Sequence, residues 1–182
     1  MHKSQGFTLW ELIIVILIVS ILASIGTSSF KYVTTSNRIS SEINGLLGDM
    51  QFARSQAAKT GSYVSVCPAA NASLNSCANT STWTKGWIVF LDLNGNGVIN
   101  NATDRVIRTQ ASIAPDTLVS SVGTFKFVTF NREGYGSNGQ TAWATINLNS
   151  SPANAQWRRC LAVSAVGAIV IEKSGASTPT TC

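Results

Sequence analysis

The sequence predicts an α+β fold, one long N-terminal helix laid on antiparallel sheet, and three observations carry that reading. An apolar run from Phe7 to Ile25 leads into apolar residues spaced by three and four as far as Lys59. Beyond Gly61 the spacing changes to the alternation of strands. Short joins rich in glycine, asparagine and serine separate those strands.

The first element is the apolar run. At 1.5 Å per residue, Phe7 to Ile25 is about long enough to cross a bilayer core of roughly 30 Å. Residues 7–30 therefore read as a membrane half of the helix. Glu11 interrupts the apolar character near its start, and a carboxylate there is costly in lipid unless it has a partner or a function. In front of it lies a short basic leader, residues 1–6, containing Lys3. A secretory signal places its cleavage site after the apolar run, whereas a cut here would spare the helix.

Residues 31–60 continue the helix with an amphipathic pattern. Ile39, Ile43, Leu46, Leu47, Met50, Ala53 and Ala57 share one face, and Arg38, Glu42, Asp49, Arg54 and Lys59 fall mostly off it. The join is soft, because Gly26-Thr27-Ser28-Ser29 are poor helix formers and Gly45 and Gly48 follow. No proline precedes Pro68. Gly61 supplies the stop.

Residues 61–182 read as one β-rich domain, with room for a proper core and none for a second domain. Strands are expected at Tyr63–Cys67, Trp87–Leu91, Arg105–Arg108, Phe125–Phe130, Trp143–Leu148, Cys160–Val163 and Ala168–Ile171. Asn94-Gly95 and Asn96-Gly97 suit a tight hairpin, residues 134–139 a flexible loop, and Val166-Gly167 a turn between the last two strands.

Composition narrows the function classes. The 182 residues carry a net charge of +5, and thirteen basic residues less Lys3 leave twelve against eight acidic. Charged residues are only 12% of the chain, which suits an exported β-rich surface better than a cytosolic enzyme. Cys67, Cys77, Cys160 and Cys182 are an even set beyond an export segment, so disulfides are the leading reading. Local closure favours Cys67 with Cys77 and leaves Cys160 with Cys182, although four cysteines allow three pairings. Zinc is disfavoured, since no CxxC occurs and the single histidine, His2, lies in the leader.

Other candidate sites each have a bland competitor. Asp92, Asn94 and Asn96, followed by Gly97, have the opening spacing of a calcium loop, but position twelve is Thr103 and a hairpin turn is preferred. Arg158 and Arg159 beside Trp157, with Lys173, form a candidate DNA-binding patch that competes with ordinary solvated strand charges. Trp83, Trp87 and Trp143 read as core or subunit contacts. Catalysis has no support, because the chain after the leader lacks histidine, a telling acid pair and a phosphate-cradling loop. No cofactor is expected.

Gly6-Phe7-Thr8-Leu9 followed by Glu11 resembles the class III signal of type IV pilins and type II secretion pseudopilins. The resemblance implies cleavage between Gly6 and Phe7 by a prepilin peptidase and methylation of the new Phe7 amine. It further implies that Glu11, fifth in the mature chain, neutralises the N-terminus of a neighbouring subunit during assembly. Trp10 departs from the small or aliphatic residue more usual there. The blocks Ala53 to Ala57, Val64 to Cys67, Gly86 to Phe90 with Asp92 to Gly97, Val106 to Arg108 and Phe130 to Gly134 are similar to those of the GspH/FimT pseudopilin domain. That likeness implies a pilin-like fold and a non-enzymatic, low-copy subunit, most simply a FimU-like adaptor coupling a pilus tip complex to the major pilin. The alternatives are a FimT-like DNA-binding minor pilin and a GspH-like secretion pseudopilin. DNA is not the favoured partner, because the Gly-Arg motif of the DNA-binding members would fall at Gly167-Ala168-Ile169, which lacks arginine. The implied partners are the major and other minor pilins and the peptidase. The implied location is the bacterial inner membrane with the domain periplasmic, then the pilus or pseudopilus.

Overall fold

In the computed structural model, residues 6–120, 126–136, 143–175 and 182 are described, with the side chains of residues 25–29 set aside. The chain divides into two units, Met1–Asn37 and Arg38–Cys182, and helix α1 (Leu9–Thr60) contributes to both.

In the first unit the apolar side chains face outward, from Leu9 at 77% exposure to Leu22 at 64%. Its described side chains form no buried core. Two of its described hydroxyls turn back onto the helix: Ser20 Oγ donates to the Leu17 carbonyl at 2.8 Å and Ser24 Oγ to that of Ile21 at 2.7 Å. Such back-bonding hides polarity on an otherwise apolar surface. Among the described residues no helix is long and apolar enough to cross a membrane. The described apolar side chains run only from Leu9 to Ser24, about 24 Å of helix at 1.5 Å per residue. The rest of the expected span lies partly outside the described residues.

In the second unit α1 buries the stripe Ile39, Ile43, Leu46, Met50, Ala53 and Ala57. The helix ends at Gly61, whose φ of +67° only glycine adopts cheaply and whose N–H reaches the Ala57 carbonyl at 3.0 Å. Among the described residues eight strands follow: β1 (Val64–Pro68), β2 (Trp87–Leu91), β3 (Arg105–Gln110), β4 (Thr117–Ser120), β5 (Val128–Phe130), β6 (Ala144–Asn149), β7 (Arg159–Val163) and β8 (Ile169–Lys173). They form two four-stranded antiparallel sheets, ordered β3-β2-β1-β5 and β4-β6-β7-β8. The antiparallel sheet expected under the helix is thus present as two sheets. The structure brings both sheets to the same core, where Val64, Val66 and Val89 of one meet Ile146, Leu148 and Leu161 of the other beneath the α1 stripe. Backbone bonds join the sheets at Trp83 N to Leu118 O, 2.7 Å, and at Gly136 N to Ala165 O, 2.8 Å.

The far side of the first sheet carries a smaller core. Cys67, Ala69, Ile88 and Phe90 are covered there by Leu74, Ile99 and Phe127 from the loops. Because β1 and β2 are buried on both faces, they read as nearly continuous apolar runs. The run expected at Phe125–Phe130 shortens to β5, since Phe127 leaves the ladder to cover the second core and Phe125 lies outside the described residues. Strand β4 was not expected, because its four residues bury only Leu118 and give almost no pattern. Between β2 and β3, residues 92–104 form a long loop in place of the tight hairpin suggested by Asn94-Gly95 and Asn96-Gly97.

The charges flanking the α1 stripe are not a solvated face. Asp49 is 7% exposed, accepts the Trp87 indole N–H at 2.8 Å and pairs with Arg108 Nη1 at 2.8 Å. The Arg108 guanidinium lies 3.9 Å from the Phe52 ring centre. Arg54 Nε donates to the Gly134 carbonyl at 3.0 Å, and Arg38 grips Asp116 through two bonds of 2.6 and 2.8 Å. Each of these side chains ties the helix to a different strand or loop.

Replacing Asp49 with Ala leaves the buried indole N–H without an acceptor and Arg108 without its counter-ion. The expected loss is about 3 kcal/mol in denaturant unfolding, with the Arg108→Met variant losing less because that guanidinium is half exposed.

Candidate functional site

The N-terminal candidates sit together at the start of α1. Gly6 and Phe7 precede the helix, Phe7 is 84% exposed, and Thr8 occupies the N-cap. Thr8 N and Thr8 Oγ1 both donate to Glu11 Oε2 at 2.9 Å, while Glu11 N reaches Thr8 Oγ1 at 3.3 Å. This is a capping box, in which the cap and the third helical residue satisfy each other's orphan groups. Its sequence signal, a threonine three residues before a glutamate ahead of an apolar run, stands in Thr8-Leu9-Trp10-Glu11 but was not part of the sequence reading. The carboxylate is thus fixed over the positive end of the helix dipole, four residues beyond Phe7.

The four cysteines are joined as Cys67–Cys77 and Cys160–Cys182, with Cα atoms 5.6 and 5.7 Å apart. Cys67 belongs to β1 and its bond closes a loop whose base is reinforced by Ala78 N to Pro68 O, 2.7 Å. Cys160 belongs to β7 and holds the last residue of the chain. One clip therefore serves each sheet.

The loop after β2 is built on Asp92. This residue is fully buried, and its carboxylate accepts Ser65 Oγ at 2.6 Å, Gly95 N at 2.8 Å, Asn96 N at 3.2 Å and Gly97 N at 2.7 Å. Ser65 in turn shares a 2.6 Å bond with Thr129. The oxygens spaced for a cation are spent on backbone: Asn94 Oδ1 takes Asn96 N at 3.1 Å and Asn96 Oδ1 takes Val98 N at 2.8 Å. Asp104 closes the loop by accepting Leu93 N and Asn100 N. Gly97, at φ +71°, lies against the Phe127 ring with no space for a Cβ. No group of three metal-ligating side chains occurs among the described residues. The arrangement is a turn scaffold whose donors are backbone amides.

The basic candidates are partly brought together. Arg159 on β7 stands opposite Lys173 on β8, so two like charges share one register pair. Arg159 Nη1 is held by the Gln156 and Arg158 carbonyls at 3.1 and 2.9 Å. Arg158 leaves that pair and bonds Asn149 Oδ1 at 2.8 Å. Trp157 packs against the main core, as do the fully buried Trp83 and Trp87, while Trp143 is half-buried. A stacking platform of aromatic faces over basic groups is not formed by these residues.

Replacing Asp92 with Ala strips an acceptor from buried amides and from Ser65, with an expected loss of roughly 3 kcal/mol. Adding calcium to the native protein is expected to leave its melting temperature unchanged, whereas a cation site would raise it by mass action.

Residues 1–27 match the model of the prokaryotic N-terminal methylation motif. The fold is similar to the crystal structure of the type IV minor pilin FimU from Pseudomonas aeruginosa, with a TM-score of 0.60 and 19% identity over 80% of this chain and 96% of that one. A second crystal form of that pilin aligns with a TM-score of 0.53 and 18% identity, over 79% of this chain and 98% of that one. No curated protein matches the chain. Residues 42–167 match the model for the type II transport protein GspH, and with that match covering most of the domain, the chain belongs to the GspH family.

Proposed function

We propose that the protein is a minor pilin, a FimU-like adaptor that couples the tip complex of a type IV pilus to the major pilin. One observation carries the reading: a methylation motif at residues 1–27 stands directly ahead of a GspH-family domain at 42–167 whose fold is that of a minor pilin. Its role is structural rather than enzymatic. Residues 1–6 form the leader, 7–30 the membrane and assembly half of the helix, 31–60 its amphipathic half and 61–182 the periplasmic domain. The apolar half holds the precursor in the inner membrane until assembly. A prepilin peptidase cuts between Gly6 and Phe7, and the amine of Phe7 is methylated.

The capping box supports a part for Glu11 in this scheme. Thr8 already fixes the carboxylate at the helix start, so cleavage creates a positive amine beside a placed negative charge. In lipid an unpaired carboxylate is expensive, and pairing it with the N-terminus of a neighbouring subunit favours transfer into the filament. The domain then presents the surface that selects the other minor pilins. A second reading, a pseudopilin of a type II secretion system, is favoured by the description of the family itself as a transport protein. The two differ in partners, which pull-down from intact filaments separates.

Mass spectrometry of the native protein is expected to find a chain beginning at methylated Phe7. A chain that retains Met1, or that begins after the apolar run, rules the scheme out. The Glu11→Ala variant is expected to insert in the membrane normally and to fall at least about tenfold in filament incorporation, the change expected from losing about 1.4 kcal/mol of pairing.

A further inference from the structure

We propose, resting on the minor-pilin reading, that the end of the domain where α1 stops is the surface that takes a second, different pilin-type subunit, one whose globular part is apolar there and sets carboxylates against Lys59 and Arg105. Among the described residues from Arg38 onward, six large apolar side chains are exposed: Tyr63, Leu93, Val98, Val106, Tyr135 and Val166, from 37% at Val106 to 63% at Val166. All six lie at that end. Strand register places them: Val64, just past the end of α1, pairs with Leu91 and with Phe130, and Leu91 pairs with Arg105. In the second sheet the end of β7 meets the start of β8 through Val163 and Ile169, and the Gly136 amide bonds the Ala165 carbonyl of their turn at 2.8 Å. Arg54, within the last two turns of α1, holds the loop after β5 through the Gly134 carbonyl. The loops at the other end, residues 68–86, 111–116 and 150–158, expose no large apolar side chain.

Neighbouring contacts join the exposed residues. The Tyr63 ring lies against Gly95, 3.2 Å from where a Cβ would stand, and Gly95 falls between Leu93 and Val98. Tyr63 lines a hollow of about 290 Å³ together with Gly61, Ser62, Asn131, Arg132 and Glu133. From there the Asn131 amide reaches the Tyr135 carbonyl at 2.9 Å. Apolar side chains gathered at one end and rimmed by charge mark an interaction surface, and tyrosine is enriched in surfaces between proteins. A side chain of the incoming subunit fills the hollow, as interface anchors do, whereas a lipid surface supplies no such knob.

Charge decides against a second copy of this chain. The acids at this end are spent: Asp92 is buried on amides, Asp104 accepts the Leu93 and Asn100 amides at 3.1 and 2.8 Å, and Glu133 holds Arg132 at 2.7 Å. Lys59, in the last turn of α1, and Arg105, at the start of β3, are exposed and have no ion pair among the described residues. Two copies meeting patch to patch would bring these cations together without an unspent acid between them. A different subunit can set carboxylates opposite them, and that complementarity fixes which subunit docks.

The test uses the full-length protein in the bacterium that makes it, with the photo-crosslinker p-benzoylphenylalanine in place of Leu93, of Val166 or, at the other end, of Ala153, which is exposed in the loop after β6. Positions 93 and 166 are expected to give an adduct at no less than about tenfold the yield from position 153. Sequenced by mass spectrometry, its second chain is expected to begin at a methylated residue ahead of an apolar helix and to differ from this one. Adducts with a copy of this chain or with lipid, no adduct at 93 and 166, or an equal yield from 153 overturn the surface. Leu93→Asp and Val166→Asp change exposed side chains and are expected to keep the melting temperature within about 2 °C. Filament incorporation of each is expected to fall at least about tenfold, and unchanged incorporation of both overturns the surface as well. Methylated Phe7 in the same preparation separates the failures: with it present, a missing adduct counts against this surface alone, and with it absent the minor-pilin reading falls and takes the surface with it.

Discussion

The domain depends on a single apolar stripe of α1 being covered by two sheets at once. Neither sheet can bury that stripe alone, because each offers one inner face and the core includes Val64, Val66 and Val89 from the first together with Ile146, Leu148 and Leu161 from the second. The hydrophobic effect supplies the attraction, but it has no direction and does not say which sheet sits where. Direction comes from charged side chains at the margins of the stripe. Asp49 reaches Trp87 and Arg108 of the first sheet, Arg38 reaches Asp116 beside the second, and Arg54 reaches the loop carrying Gly134. Each is a bond with one geometry, and together they hold the helix in register with strands from both sheets.

That division explains what the sequence disclosed. The stripe from Ile39 to Ala57 was legible because its burial repeats with the helical period, and the Gly61 stop and the runs that became β1, β2, β6 and β7 because short apolar runs lie between turn residues. The separation into two sheets was not, since alternation reports that a strand has a buried face and is silent about which strand lies beside it. Strand β4 escaped because one buried leucine makes no pattern. The aspartates escaped for a different reason: Asp49 and Asp92 look like surface charges in a sequence, and only their partners, a distant indole and amides of a loop, make burial affordable. Spacing alone likewise did not reveal that the oxygens of the Asp92 loop accept backbone amides.

The two units obey different rules. The domain buries Asp49, Asp92 and Asp116 and gives each of them hydrogen-bond donors. The first unit shows its apolar side chains outward and keeps a charge, Glu11, at its beginning, with Thr8 as its nearest donor. A surface of that kind acquires its partners from lipid or from copies of itself, so the function proposed for the chain draws on the first unit for attachment and on the second for selection.

The crossing of two loops above Arg54 has a consequence of its own. Gly134 and Gly167 meet there, and a Cβ on Gly167 would collide with the Gly134 carbonyl oxygen while one on Gly134 would press on the Arg54 guanidinium. The spot has no spare volume, and the two loops belong to different sheets, so neither can lengthen or change side chain without displacing the other. Divergence in this corner of the surface is therefore confined to paired changes, and an engineer seeking a place to graft a foreign peptide would do well to avoid it.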